Sequence, residues 1–226
     1  MEHQIKNKPD YASLHLLLDD GEQIVTESGA MMAMDRGLEM ETNAKGGVMG
    51  ALKRAAGGES LFLNTYTSTG TAQRLDLGPS TPGDIEHRQL HGDALMVQSG
   101  SYMASTPEIQ VDTKWGGAKT FFGGEGLFML KCSGKGHLWF SSYGAIHTVD
   151  VKETYQVDTS HIVAFEDTLT FQVKSVGGLK SLLFSGEGLI CEFSGSGKLY
   201  LQTRSASALA GFLHPFRRVK QQNSGS

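Results

Sequence analysis

Eight histidines are the first place to look for chemistry in this 226-residue chain: His3, His15, His87, His91, His137, His147, His161 and His214. A metal-dependent enzyme built on a double-stranded β-helix needs two or three histidines and a carboxylate converging on one face, with coordination positions left open. No His-x-His pair occurs. His87 and His91 are four apart, so on a strand both face one side while Glu86 faces away. His147 and His161 fall near the ends of expected strands. None of these spacings defines a shared ligand set, so no bound metal and no cofactor are expected.

Carboxylates and thiols give a similar answer. Glu59, Glu125 and Glu187 recur at one position, within Gly58-Glu59, Gly124-Glu125-Gly126 and Gly186-Glu187-Gly188. A carboxylate repeated in this way suits a shared structural duty, accepting backbone N–H bonds at a turn. General acid–base work needs one asymmetric site instead. There is no G-x-S-x-G elbow, no H-E-x-x-H and no phosphate-binding G-x-x-x-x-G-K-[ST] loop. No helix is expected after Gly124-Glu125-Gly126, so that segment is no dinucleotide fingerprint. Cys132 and Cys191 lie in apolar, strand-like runs and read as buried free thiols of a reducing compartment. The chain is expected not to be an enzyme.

Cations recur too. Lys45-Gly46-Gly47 is followed by Lys53 and Arg54, Lys114-Trp115-Gly116-Gly117 by Lys119, and Lys174 with Gly177-Gly178 by Lys180. Arranged about a pseudo-threefold axis, these residues would form a ring able to hold anions, either RNA backbone or acidic lipid headgroups. Solvated loops are the plainer reading. A net charge of −4 argues against a protein whose main task is coating nucleic acid. The segment from Leu209 to Lys220 is apolar and then basic. It suits a neighbouring subunit better than a membrane surface.

These residues must be positioned by strands. Gly58-Glu59-Ser60-Leu61-Phe62 returns as Gly124-Glu125-Gly126-Leu127-Phe128 and again as Gly186-Glu187-Gly188-Leu189-Ile190. Ser133-Gly134-Lys135-Gly136 returns as Ser194-Gly195-Ser196-Gly197, and Glu27-Ser28-Gly29 as Gln98-Ser99-Gly100. Short apolar or alternating runs (14–18, 61–66, 127–132, 138–142, 169–173 and 199–203) separated by glycine read as strands. The glycine motifs read as hairpin turns. The expected fold is all-β, with three repeats of antiparallel β-sandwich units at about 14–90, 91–153 and 154–204. One domain is expected over 1–213, then a polar tail over 214–226. Helix is expected only at 48–56 and at 205–213, the latter with a Ser205 cap and a stop at Pro215.

Pro82-Gly83-Asp84-Ile85, Val111-Asp112-Thr113-Lys114-Trp115-Gly116-Gly117, Gly124-Glu125-Gly126-Leu127-Phe128, Tyr143-Gly144-Ala145-Ile146-His147 and Val176-Gly177-Gly178-Leu179-Lys180 come in an order that resembles the altered-inheritance-of-mitochondria family. The resemblance runs from about Gln23 to Thr203. It implies a fold like that of the tryptophan RNA-binding attenuation protein (TRAP-like), related to a double-stranded β-helix and assembled as a homotrimer, with no established catalytic residues. Met1 to Asp10 lacks the character of a secretory or transit signal, so a cytoplasmic protein is expected. The leading expectation is a non-enzymatic homo-oligomeric scaffold or interaction protein. An anion-binding module comes second and a metal enzyme third.

Overall fold

Period-two alternation builds the first sheet. In strand β2 (Ser13–Leu18), Leu14, Leu16 and Leu18 are fully buried, while Ser13, His15 and Leu17 occupy the opposite face. The structure is a computed structural model that describes residues 1–43, 62–112, 128–175 and 189–217. Its described residues are almost wholly β, in antiparallel sheets with one short α-helix. The recurring Gly-Glu motifs and the expected helix at 48–56 lie outside the described residues.

One pairing scheme occurs three times. In the first part of the chain, β3 (Gln23–Glu27) and β5 (Leu38–Asn43) flank β6 (Leu63–Ser68), and β2 and β4 (Met31–Met34) flank β7 (Gln73–Leu77). In the middle part, β8 (Ile85–Gln98), β9 (Tyr102–Ser105) and β10 (Ile109–Asp112) all pair with β11 (Met129–Ser141). In the last part, β13 (Thr154–Asp158) and β15 (Leu169–Ser175) flank β16 (Leu189–Gly195). There β12 (Ile146–Val151) and β14 (Ile162–Glu166) flank β17 (Gly197–Gln202). Successive parts are joined by β3 with β9 and by β8 with β14. An additional strand, β1 (Glu2–Lys6), extends the first sheet beside β2.

The core falls into three apolar clusters, and the β8–β11 ribbon contributes to each. Ile85 and Trp139 join Leu14, Leu16 and Leu18 in the first. Leu95, Val97, Leu130, Leu138 and Phe140 join Tyr102 and Tyr200 in the second. Met96 and Met129 join Phe165 and Phe193 in the third. Each such side chain removed from water contributes about 1.5–3 kcal/mol.

The Ser133-Gly134-Lys135-Gly136 motif does not turn a hairpin, contrary to the expectation from its glycines. Strand β11 runs straight through it, and the register with β8 shifts between Ser133 and Lys135. The extra residue lies on β8, where Gly92 (φ +109°) and Asp93 together oppose Gly134 (φ +135°) as a β-bulge. The halves of β11 then serve different partners, β10 before the bulge and β9 after it. In the related Ser194-Gly195-Ser196-Gly197 the strand breaks instead. Gly195 has φ +117°, and the chain passes from β16 in one sheet to β17 in another.

The chain ends its described course in helix α1 (Ala206–Leu213), capped by the Ser205 hydroxyl accepting from the Ala208 amide at 3.4 Å. A 3-10 turn over His214–Phe216 contains Pro215.

A Cβ at Gly134 would lie 2.3 Å from the Glu108 carbonyl oxygen, whereas one at Gly92 (φ +109°) meets nothing nearer than Lys135 Cε at 3.8 Å. Gly134→Ala is therefore expected to cost roughly 3 kcal/mol, through clash and backbone strain together, and Gly92→Ala only about 1 kcal/mol. Urea unfolding of the two variants against the parent checks the difference.

Candidate functional site

Register brings together three histidines that spacing kept apart. On the β8–β11 ribbon His87 lies directly opposite Trp139, so His137, two residues earlier on β11, shares their face. The His87 Nε2 and His137 Nδ1 atoms are 2.9 Å apart. His3 on β1 lies opposite Leu16 and so projects from the core side of the first sheet toward this pair. Its ring centroid is 4.4 Å from that of His87 and 5.6 Å from that of His137. One ligand atom from each of the three fits within a mutual 4.8 Å. The fully buried Trp139 indole forms the floor, 5.2–5.7 Å from each imidazole. Burial, reinforced by the two neighbouring imidazoles, pushes His87 down to about 4. Burial and then His137 lower His3. His87 is thus neutral at pH 7, the form that can accept a proton or a metal ion.

A second polar cluster covers the outer face of the first sheet. Ser13 Oγ is 2.9 Å from His15 Nε2, and His15 Nδ1 is 2.7 Å from Asp76 Oδ1. This is the order of a serine–histidine–aspartate relay. Other features of the site do not fit nucleophilic catalysis. Arg74 takes both carboxylate oxygens, with Nε to Oδ1 at 2.8 Å and Nη2 to Oδ2 at 2.7 Å. Burial pushes the Asp76 carboxyl up, but the bonds and charges of Arg74 and His15 outweigh it and hold the group low. Ser13 lies in a strand paired on both sides, and the adjacent Ala12 amide donates to the Gly83 carbonyl at 2.9 Å. An oxyanion needs paired amides aimed at it, and these amides belong to the sheet.

The residues singled out by sequence have varied fates. Lys174 lies on β15 in an ion pair with Glu192 at 2.6 Å. Lys45, Lys53, Arg54, Lys114, Lys119 and Lys180 lie outside the described residues, as do the turn residues Gly58, Glu59, Gly124, Glu125, Gly126, Gly186, Glu187 and Gly188. His91 is exposed and takes no part in the three-histidine cluster. The His161 ring donates from Nδ1 to the Gln202 carbonyl at 2.7 Å. Cys132 and Cys191 are both buried, and burial pushes the Cys191 thiol up to about 12, which leaves it inert. Within the sequence, the signal for the observed cluster was His137 beside Trp139 in one repeat. It becomes legible only once the β8–β11 register is known.

This arrangement of antiparallel sheets is shared with a Streptococcus pyogenes protein whose crystal structure superposes with a TM-score of 0.81, covering 96% of this chain and 99% of that one at 24% identity. An uncharacterised protein from Streptococcus pyogenes serotype M6 is 28% identical over 223 residues, which span 94% of this chain and 90% of that protein. The family model described as mitochondrial biogenesis AIM24 matches residues 3–204, and the chain belongs to that family. The match takes in His3, His87 and His137. Among the described residues no helix is long and apolar enough to cross a membrane.

One carboxylate inside the matched region is strongly perturbed. Burial pushes Glu27, at the end of β3, up to about 7. Its carboxyl holds a proton more tightly in the folded chain than in the unfolded one. That stabilisation is complete below about pH 4.5 and is lost as pH rises through about 7. Glu27→Gln is expected to gain on the order of 2–3 kcal/mol over the parent between pH 4.5 and 8. Denaturant midpoints of both proteins across that range measure the gain, and a constant difference would exclude it.

Proposed function

We propose that this family member is a self-associating β scaffold with no catalytic activity of its own, its copies joined through β13 of one chain and β4 of the next. The observation that carries this reading is an unfilled place in the pairing scheme. The first and middle parts of the chain join through β3 and β9, and the middle and last through β8 and β14. The corresponding junction between last and first would use β13 and β4. Among the described residues each of these strands is paired on one side only. All four residues of β4 are exposed, and Met32 is 61% accessible. Tyr155 on β13 is exposed as well. Open, apolar edges of this kind template pairing with another chain. A second copy of the chain carries the complementary strand.

Helix α1 supports the same reading. None of its residues is buried, and Leu209, Phe212, Leu213 and Phe216 of the helix and its turn are exposed. Eight residues are too few for a helix to hold itself in water, so its apolar side needs a covering surface. A contact between different edges is heterologous, and one whose rotation closes forms a ring. The family resemblance supports three copies in that ring. The Arg74 clamp on Asp76 and the sheet-bound amides around Ser13 support the non-enzymatic part.

Light scattering during gel filtration is expected to give about 73 kDa, three copies of the 24.4 kDa chain. Met32→Lys and Tyr155→Lys, each placing a charge on an exposed edge, are expected to shift the mass toward one copy. A parent chain eluting at 24.4 kDa would overturn the reading, as would full-mass assembly of both variants.

A further inference from the structure

We propose that His3, His87 and His137 hold one divalent transition-metal ion of the zinc class, bound through three imidazoles with the remaining coordination open to solvent. The ligand set is chemically suited to such an ion, since imidazole binds zinc and its neighbours well, whereas hard oxygen-seeking cations prefer carboxylates. The geometry is close to assembled. Zinc–nitrogen bonds of about 2.0–2.1 Å at tetrahedral angles place two ligating nitrogens roughly 3.3 Å apart. His87 Nε2 and His137 Nδ1 already stand 2.9 Å apart, in a hydrogen bond that a bound ion would replace. All three ligand atoms lie within 4.8 Å of one another. Closure needs about an ångström of movement, and the residue free to make it is His3, exposed on edge strand β1.

The surroundings favour an ion over separate fates for the rings. Among the described residues none of these three histidines forms an ion pair with a carboxylate, in contrast to His15 with Asp76. Trp139 fixes the floor beneath the two ribbon histidines, so they cannot collapse inward. The site is also a junction. His3 belongs to the four-stranded sheet, and His87 and His137 belong to the sheet built on the β8–β11 ribbon. A bound ion therefore clips β1 to the ribbon across the rim of the first core. This inference does not depend on the assembly proposed above, because none of the three residues lies on β4, β13 or α1.

The test uses the full chain without added affinity histidines, stripped with EDTA, then titrated with zinc chloride by calorimetry and assayed for metal after gel filtration. One zinc per chain is expected, with a melting temperature raised by several degrees. Cobalt is expected to give the intense visible absorption of a four-coordinate site of three imidazoles and one water. His3→Ala, an exposed and fold-neutral change, and His137→Ala are each expected to weaken zinc binding at least 100-fold and to abolish the thermal shift. His147→Ala, at an exposed histidine outside the cluster, is expected to change neither. No stoichiometric zinc in the parent would overturn the proposal. So would full binding by His3→Ala, or an equal loss in His147→Ala, which would mark adventitious surface binding. Should His137→Ala not fold, the His3→Ala result decides.

Discussion

The antiparallel pairing of β8 with β11 is the constraint on which the rest of the molecule depends. These are the longest of the described strands, and they pair from Met129–Gln98 to Ser141–Ile85 with one register shift, at a bulge. One face of the ribbon supplies Leu95, Val97, Leu130 and Phe140 to the second core. The other face supplies Ile85 and Trp139 to the first core at one end, and Met96 and Met129 to the third at the other. The bulge separates those two ends. A bulge bends its strand, here β8 at Gly92-Asp93 opposite Gly134, and so lets one strand pair serve three clusters.

The polar groups follow from the same geometry. His87 and His137 occupy the ribbon face of the first core, one step toward its rim from Ile85 and Trp139. There the apolar interior ends and imidazoles replace leucines. On the outward face of the first sheet, where Leu14 and Leu16 turn their backs, Ser13, His15, Asp76 and Arg74 satisfy one another. Buried polar groups need partners, and this network supplies them without requiring catalysis. Among the described residues nothing compensates Glu27, and burial perturbs it strongly.

Much of the fold was legible in the sequence, because alternation and glycine punctuation are local signals. The runs at 14–18, 169–173 and 199–203 coincide with β2, β15 and β17 to within two or three residues. The Ser205 cap and the end of α1 before Pro215 were local as well. The 133–136 glycines were misleading because a glycine marks positive φ without saying whether the chain reverses or only bulges. The histidine cluster was not legible. His3 and His87 are far apart in sequence, and their meeting depends on β1 adding to β2 and on how two sheets stack. The pairing of His87 with His91 came from counting along one strand, whereas the contact runs across strands.

The three parts of the chain do not have equal standing in the pairing scheme. The middle part has a neighbour on both sides, through β3 with β9 and through β8 with β14. Among the described residues the first and last parts each have one within the chain. Fraying from either end therefore leaves the β8–β11 ribbon closed, while opening the ribbon detaches both ends at once. Local stability is graded accordingly, as in stacked repeats. Backbone amides of β8 and β11 are therefore expected to exchange most slowly, with the chain opening from its flanks inward.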